Sequence, residues 1–525
     1  MTRLYKFITL AALLVLTSCS DWLKEDSPDL LIPQDVAEFQ AVLYGEGYPN
    51  RSQTYNGLYP QFTTTCDFVH MMTDDVQVMT KSDSRSTLME GDDDYGLSEG
   101  RGAFTWAQDL EYYDVNYSCF YRDRYTNIMA CNIIIENAET MTGDPDRVAS
   151  TVAQAYALRA WNYLWLVNLY APPYNEETAA TDMGVVIRLK SDIARDQPAR
   201  NTMKEVYDQI NADLDRSLEL WEKAHFSRNI YLLSQRATYI IKCRAALYQG
   251  HWDDVIKYGT LLSESNWDLY NLSGLAKSSM TNVGSSGNYA FLDPDNNPEI
   301  TFCYGGVTFS SNRFMGNIRL IKDATFAPSQ EQEGDLLLMY EPGDQRRYAF
   351  FQQSREDGQG ISDYRNAPNK SYIHNIHSQA LRTSEALLSV AEAYAQRNTG
   401  NDQAEAIRLL NLLRMNRFTE STYQELTAAD FSSQQKLLQF VRDERRREFC
   451  FEDIHRWVDL RRYGCPRIVH TYYASKNAAP EVYVLEKGDR NYTLELPQEE
   501  LDFNKVIQTI NRRVIEAGGL NNETE

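Results

Sequence analysis

Apolar residues recur at helical spacing along most of this 525-residue chain. Residues 117–139 form the first long predicted helix, and Asp146 beyond it is a predicted N-cap. The next helix, residues 148–170, is apolar on nearly every side, which indicates burial between neighbouring helices. Another is predicted to begin after Thr202, where Glu205 stands at the capping-box position.

Two pairs of predicted helices form hairpins. The first pair occupies residues 234–249 and 252–262, and the block 250–255 resembles the inter-helix turn of a tetratricopeptide repeat. The second pair occupies residues 381–396 and 403–415. Hairpins of this length stack because each one buries its neighbour's apolar face. We therefore predict a mostly α fold, a tetratricopeptide-like superhelix of helical hairpins.

Two long stretches interrupt this helical pattern. Residues near 54–113 and near 272–375 are rich in Gly, Ser, Asn, Asp and Pro, with short apolar bursts such as Ile300-Thr301-Phe302. This composition predicts loops and short strands inserted into the helical frame. Binding residues commonly lie on irregular segments held by a rigid frame, so these two insertions are the candidate binding regions.

The N-terminal residues have the pattern of an export signal. The apolar run 7–16 follows two basic residues and is shorter than the roughly 20 residues of a membrane span. It leads into Leu16-Thr17-Ser18-Cys19, which resembles the lipobox at which bacterial lipoproteins are cut and lipidated. We predict a signal peptide over residues 1–18 and a lipidated, acidic tether over residues 19–35. An ordinary signal peptide with a chance cysteine is the alternative.

Composition narrows the possible functions. The formal net charge of -22 argues against nucleic acid as a partner, because phosphates need a basic surface. The 34 Tyr and 8 Trp exceed what a soluble core commonly uses, so some are expected to face a ligand or partner. Beyond Cys19 the cysteines are scattered and lack a CxxC pair, which argues against a disulfide framework or a zinc site.

Four motifs, in order along the chain, carry a family resemblance. They are Ala155-Tyr156-Ala157-Leu158-Arg159-Ala160, Arg382-Thr383-Ser384-Glu385-Ala386-Leu387-Leu388, Glu444-Arg445-Arg446-Arg447-Glu448-Phe449 and Tyr492-Thr493-Leu494-Glu495-Leu496-Pro497. Together they resemble the SusD/RagB family, over the whole chain after Cys19. One departure is Glu495-Leu496-Pro497, where members often have Pro-Ile-Pro; this puts little in doubt if the segment is structural.

That resemblance implies a function and an organisation. Members of the family are surface lipoproteins that bind glycans and lie as a lid on a TonB-dependent outer-membrane transporter. It therefore implies a lipid-anchored protein at the cell surface that delivers oligo- or polysaccharide to a SusC-like transporter, without catalysis. Its N-terminal region would span residues 36–270 and its C-terminal region residues 271–525. A glycan-degrading surface enzyme and a ligand-free helical scaffold are the alternatives.

Aromatic and polar residues of the two insertions are the predicted glycan contacts, because a sugar ring needs an apolar face and partners for its hydroxyls. In the family, contacts come broadly from these two regions and vary between members. The predicted contacts in the first insertion are Asp75, Arg101, Trp106, Tyr112 and Tyr113. Those in the second insertion are Asn288, Tyr289, Phe291, Tyr304 and Arg313. For each aromatic taken alone, a place in the core is the alternative.

A run of carboxylates near the C-terminus has a structural interpretation. Glu444, Glu448 and Glu452 recur every four residues among arginines, so they are expected to share one helical face. Nearby arginines keep carboxylates ionised, whereas a general acid must be protonated near neutral pH. We therefore predict a salt-bridge network that stabilises the C-terminal helices.

Two short clusters resemble metal sites only in part. His374 and His377 lack the accompanying glutamate of a HExxH motif. The segment from Asp293 to Asn297 mimics the first half of a calcium loop, but Pro298 stands where glycine is required. We predict no metal and no cofactor, with calcium at this turn as the alternative.

Overall fold

The computed structural model describes residues 33–49, 52–55, 59–62, 67–80, 95–110, 116–192, 197–224, 229–263, 266–275, 291–305, 324–329, 332–352, 367–368, 370, 379–474 and 478–518. The predicted signal peptide, Cys19 and most of the predicted tether lie outside these ranges. No helix within them is long and apolar enough to cross a membrane.

Fourteen α-helices lie in the described ranges, and we label them in chain order. They are α1 Val36–Val42, α2 Asp67–Met71, α3 Tyr95–Phe104, α4 Asn116–Glu136, α5 Pro145–Tyr170, α6 Met203–Trp221, α7 Gln235–Gln249, α8 Trp252–Ser263, α9 Arg346–Ala349, α10 Thr383–Arg397, α11 Asp402–Arg414, α12 Gln434–Phe449, α13 His455–Arg462 and α14 Gln498–Phe503. A π-helix, Leu43–Gly47, continues α1, and the 3₁₀ turns are Leu336–Met339, Ala428–Asp430 and Arg490–Tyr492.

The strands are short and pair two by two, always antiparallel. They are β1 Ser52–Tyr55, β2 Tyr59–Phe62, β3 Val76–Thr80, β4 Ile300–Tyr304, β5 Ala324–Pro328, β6 Phe351–Gln352, β7 Ala367–Pro368, β8 Gln379–Arg382, β9 Ile468–Tyr472 and β10 Glu481–Leu485. β1 pairs with β2, β3 with β5, β4 with β8, β6 with β7 and β9 with β10. The β3–β5 pair joins the two insertions.

The long helices form the frame, each packing on its neighbour in the chain. α4 packs on α5, α5 on α6 and α6 on α7, while α7 and α8 form the predicted hairpin. α8 then packs on α10, although the second insertion separates the two in sequence. α10 and α11 form the second predicted hairpin, and α12 packs on α10. The predicted class, mostly α with helical hairpins and irregular insertions, is confirmed.

The helix boundaries follow local chemistry, with one correction. The Asp144 side chain, rather than that of Asp146, caps α5 by accepting the N–H of Arg147 at 3.0 Å, and Pro145 fills the first helical position. The capping box of α6 is confirmed. The Glu205 N–H donates to Thr202 Oγ1 at 3.2 Å, and the Glu205 carboxylate accepts the Thr202 N–H at 2.8 Å.

Two glycines fix the first hairpin. Gly250 ends α7 in the left-handed region, φ +74°, which glycine adopts without strain. Gly259 lies on the buried face of α8, where a Cβ atom would overlap Val390 Cγ2 of α10. The missing side chain lets α8 approach α10 closely, and this contact closes the frame across the second insertion.

The insertions contain more regular structure than the sequence predicts. Residues 54–113 include α2 and α3 besides their strands, and residues 272–375 include α9 and a 3₁₀ turn. The buried apolar residues form one contiguous cluster, to which both insertions contribute. Five cysteines within the described ranges are buried free thiols: Cys131, Cys243, Cys303, Cys450 and Cys465. Burial raises the pKa of Cys131 to about 12, so this thiol stays protonated.

Candidate functional site

Asp75, predicted to contact glycan, is an internal anchor of the first insertion. Its side chain is buried and accepts Arg446 Nε of α12 at 2.6 Å. The neighbouring Asp74 accepts two hydrogen bonds from Arg456 of α13, at 2.8 and 2.6 Å. These ion pairs hold the segment before β3 against the C-terminal helices. The predicted role of Asp75 as a glycan contact is therefore wrong.

Trp106 belongs to the core. Its exposed fraction is 0%, its indole N–H donates to the Met72 carbonyl at 2.9 Å, and its ring stacks on His470 at 4.3 Å. Its own carbonyl accepts Asn491 Nδ2 at 3.1 Å. Because the ring is enclosed by protein, the prediction that Trp106 stacks on a sugar is wrong.

Phe291 and Tyr304 are also buried, which corrects their predicted role in binding. Phe291 packs edge-on against Phe350 with ring centroids 4.6 Å apart, and the Arg382 guanidinium lies 4.9 Å from its centroid. Tyr304 meets Trp161 of α5 edge-on at 4.7 Å. Burial raises the pKa of Tyr304 well above its ordinary value. Both rings fasten the second insertion to the frame.

Arg101 is the one predicted contact within the described residues that keeps an exposed polar group. It lies on α3, and its Nη2 donates to Glu481 Oε2 at 2.7 Å and to the Tyr483 hydroxyl at 3.0 Å. Its guanidinium lies 5.0 Å from the centroid of the Tyr472 ring. The Arg101 and Glu481 side chains retain 37% and 33% of their exposure, so both still reach solvent.

We call Arg101, Tyr472, Glu481 and Tyr483 the Arg101 surface. Strand geometry assembles it, because Glu481 pairs with Tyr472 in the β9–β10 register and Tyr483 lies two residues further along the same face. Burial, followed by the hydrogen bond to Glu481, raises the pKa of Tyr483, so its hydroxyl stays protonated at neutral pH. The sequence analysis missed the three strand residues, and their period-two spacing is the signal that could have found them.

A concave surface lies along the start of α6. Its cavity volume is about 620 Å³, and its lining includes Ile187, Leu189, Asp208 and Gln209. Asp208 is paired with Lys204 at 2.6 Å, and Gln209 donates to Asp213 at 2.8 Å. The polar groups of this groove are therefore engaged within the protein. No sequence pattern indicates this groove apart from the capping box beside it.

The other predicted contacts lie outside the described residues. They are Tyr112, Tyr113, Asn288, Tyr289 and Arg313, together with the predicted lipidation site Cys19. Each of these sites stays a prediction.

The predicted salt-bridge network is confirmed, and Glu448 at its centre is fully buried. Glu448 accepts hydrogen bonds from Arg346 at 3.1 Å, from Arg382 at 2.8 Å and twice from Arg417, at 3.0 and 2.8 Å. Burial would raise the pKa of Glu448, but the three arginines outweigh it and hold the pKa well below its ordinary range. An ionised, fully hydrogen-bonded carboxylate of this kind does not supply a general acid.

The geometry of this network differs from the prediction at one end. α12 ends at Phe449, so Glu452 lies beyond the helix rather than on its face. Glu452 still joins the network, accepting Lys370 Nζ at 2.6 Å and Arg382 Nη2 at 2.8 Å. Through these contacts the network ties the segment at residue 370 to β8 and α12.

The possible metal clusters gain no support from the described residues, among which no group of three or more His, Cys, Asp or Glu could hold a metal ion. The Asp293 carboxylate accepts the Asp295 N–H at 3.0 Å and Asn296 Nδ2 at 2.6 Å, which is an ordinary Asx turn. His374 and His377 lie outside the described residues.

Sequence comparison with known families covers nearly the whole chain. A model of the SusD family matches residues 267–513, and a second one, described as starch-binding associating with outer membrane, matches residues 21–247. The chain belongs to the SusD/RagB family. The first match ends within α7 and the second begins just after α8, so the first hairpin of this SusD/RagB protein lies where one match gives way to the other.

Individual relatives agree with this assignment. The SusD/RagB chain is 24% identical to SusD-like protein P2 of Formosa agariphila, over 97% of this chain and 99% of that protein. Its structure is similar to that of a SusD-like carbohydrate binding protein from Bacteroides vulgatus, with a TM-score of 0.63, 19% identity and coverage of 92% and 99%. A SusD superfamily protein from Bacteroides thetaiotaomicron gives a TM-score of 0.62, 19% identity and coverage of 91% and 100%. At these identities the structural likeness shows the fold alone.

Proposed function

We propose that this protein is a cell-surface lipoprotein that captures oligo- or polysaccharide and delivers it to a SusC-like TonB-dependent transporter. The observation that carries the proposal is the pair of consecutive family matches, one described as starch-binding associating with outer membrane. The Bacteroides vulgatus neighbour, named as a carbohydrate binding protein, supports the same ligand class. The net charge of -22 is compatible with an uncharged polymer as the ligand.

The Arg101 surface is the proposed place of first contact with the glycan. The half-exposed Arg101 guanidinium donates and the Glu481 carboxylate accepts, and together they match the hydroxyls of a sugar, while the buried Tyr472 and Tyr483 support them from beneath. Arg101 and Glu481 are already oriented by their mutual contact, so little side-chain freedom is lost on binding. Tyr112 and Tyr113 follow α3 closely in the chain and are the proposed stacking rings.

Calorimetry on a Cys19→Ala full-length chain, after an array screen has identified a glycan, tests this proposal. Arg101→Ala should weaken binding about ten-fold or more, corresponding to roughly 1–3 kcal/mol for a central contact. Arg216→Ala is the matched control, because Arg216 is 47% exposed and pairs with Glu219 on α6. Equal affinities in the two variants would remove the Arg101 surface from the site. Failure of every glycan to bind would favour the ligand-free scaffold.

Prolonged incubation of wild-type protein with the bound glycan tests the non-catalytic part of the proposal. We expect no new reducing ends, because the described carboxylate cluster is ionised and saturated with arginine hydrogen bonds. New reducing ends, absent from a heat-denatured control, would establish the glycan-degrading alternative instead.

Membrane fractionation tests the anchor. Cys19→Ala should release the protein from the outer membrane in cells that lack the neighbouring transporter, since a tightly held lid would otherwise mask the loss. Retention of the variant in that background would contradict lipidation at Cys19. Co-purification of the wild-type protein with a TonB-dependent transporter tests delivery, and its absence under mild detergent would contradict the proposed partner.

A further inference from the structure

His470 lies where the first insertion meets the C-terminal hairpin. It is on β9, is 3% exposed, and faces backbone oxygens with both ring nitrogens. Nδ1 is 2.6 Å from the Phe104 carbonyl at the end of α3, and Nε2 is 3.0 Å from the Thr73 carbonyl before β3. One imidazole therefore bridges the two parts of the insertion to the hairpin.

This geometry requires two N–H donors. A neutral imidazole carries one N–H and one lone pair, whereas the imidazolium ion carries two N–H groups. In the neutral form, one carbonyl oxygen would face a nitrogen lone pair at 3.0 Å or less. Only the cation satisfies both carbonyls at once, and a charged donor also explains the short 2.6 Å distance.

The aromatic rings stacked on His470 also favour its charged form. His470 stacks on Phe104 at 4.1 Å with an interplanar angle of 9°, and on Trp106 at 4.3 Å with an angle of 16°. Two rings this close and this parallel can only lie on opposite faces of the imidazole. The electron-rich faces of aromatic rings attract a cation enclosed between them.

The charged groups around His470 include both signs. Burial lowers the pKa of His470, to about 4, although the Phe104 and Thr73 carbonyls and the Asp74 carboxylate each act to raise it. Both ring nitrogens nevertheless face carbonyl oxygens, and this geometry favours the charged form. The charged and titratable groups on the elements packed around it are Asp74 and Asp75 before β3, Arg446 on α12, Arg456 on α13, Arg101 on α3, and Glu481 and Tyr483 on β10. Asp74, the carboxylate whose charge acts on the ring, is itself paired with Arg446 and Arg456.

His455 has the opposite surroundings and serves as an internal reference. It is equally buried, but its Nδ1 faces Arg445 Nη2 at 3.1 Å and its Nε2 faces Arg244 Nη2 at 3.5 Å. Burial and these arginines hold its pKa well below the ordinary value. The fold thus contains one buried histidine among donors and one among acceptors.

We infer that His470 is an imidazolium clamp, a charged link that fastens α3 and the segment before β3 to the β9–β10 hairpin and weakens when its proton leaves. Because α3 carries Arg101, the clamp also sets the position of the Arg101 surface. High pH would release the Thr73 or the Phe104 carbonyl and loosen the first insertion, with the helical frame intact.

Nitrogen-15 NMR of the histidine rings in the full-length Cys19→Ala chain tests the charge directly. We expect His470 to show two protonated nitrogens at pH 7 and His455 to show one. The ring resonances that disappear in His470→Gln belong to His470. If that variant does not fold, nuclear Overhauser contacts to the Phe104 and Trp106 rings identify the His470 resonances in wild type. A neutral His470 ring at pH 7 would overturn the inference.

The pH dependence of stability gives an independent test. If the folded protein raises the pKa of His470 above its unfolded value, the stability gained from the clamp is complete below about pH 6.5 and is lost as pH rises through the folded pKa. The difference in melting temperature between wild type and His470→Gln should then shrink from pH 6 to pH 9. A difference that instead grows with pH would mean a neutral buried ring and no clamp. His251→Gln, at a ring 41% exposed, is the control and should show no such trend.

Discussion

Glu448→Gln tests whether the buried ion network stabilises the fold through charge. The substitution keeps the size of the side chain and removes one negative charge from a site with 0% exposure. Four N–H groups from Arg346, Arg382 and Arg417 then face a neutral amide, half of which is itself a donor.

The expected magnitude follows from the balance of charge around Glu448. Six cations of the network, Lys370, Arg346, Arg382, Arg414, Arg417 and Arg447, contact six anions, Glu299, Glu341, Asp344, Glu444, Glu448 and Glu452. Removing one anion leaves an uncompensated buried cation, which costs about 3–5 kcal/mol. We therefore expect Glu448→Gln to lower the free energy of unfolding by that amount.

Urea unfolding followed by circular dichroism measures this difference. Glu219→Gln is the matched control, because Glu219 is 62% exposed and its pair with Arg216 should contribute less than about 1 kcal/mol. An unchanged dependence on urea concentration would show that both variants unfold from the same compact state. If Glu448→Gln and Glu219→Gln are equally stable, charge burial in the network does not stabilise the fold.

Acid titration of the same variant isolates the electrostatic cause. The folded-state pKa of Glu448 lies well below its unfolded value, so its charge stabilises fully above about pH 4.5 and that contribution is lost as pH falls through the folded pKa. The stability advantage of wild type over Glu448→Gln should be constant above about pH 5 and shrink at lower pH. An advantage that stays constant in acid would point to packing instead of charge.

Two further substitutions test the packing of the insertions and of the frame. Trp106→Ala should lower the free energy of unfolding, measured with urea, by about 3–5 kcal/mol, because a large buried ring is removed. An unchanged free energy of unfolding would mean that the ring is exposed. Gly259→Ala should lower the free energy of unfolding by about 1–3 kcal/mol, because the added Cβ overlaps Val390. Gly45→Ala is the control, because the space around its added atom is open. Equal stabilities of the two variants would mean that α8 can move away from α10 at no cost.

Sequence periodicity predicts the helical frame well because each frame helix follows local rules. Thr202 and Glu205 form their capping box from neighbours in the chain, and the all-round apolar helix α5 is buried at every residue from Ala157 to Tyr170. The miss at Asp146 is also local: Asp144 caps the helix because Pro145 occupies its first position. Such features need no knowledge of distant contacts.

The candidate site could not be predicted in the same way, because its partners are distant in sequence. Arg101 meets Glu481 and Tyr483 only once the β9–β10 hairpin has formed and has packed on α3. Likewise, Trp106 and His470 are 364 positions apart in the numbering and stack at 4.3 Å. Residue types alone give no sign of which aromatic will be covered.

Burial of the predicted sugar contacts has a common cause. An insertion with few helices of its own must be fastened to the frame, and fastening uses the same chemistry as glycan recognition: aromatic faces, carboxylates and arginines. Asp75 lies where the first insertion meets α12, and Trp106 lies where it meets His470 of β9 and Asn491. Tyr304 lies on β4, whose partner β8 leads directly into α10. Residues at these junctions therefore anchor the insertions. A ligand contact needs the same residue types away from the junctions, on a surface such as that of Arg101, where the side chain keeps part of its exposure after its internal partners are bound.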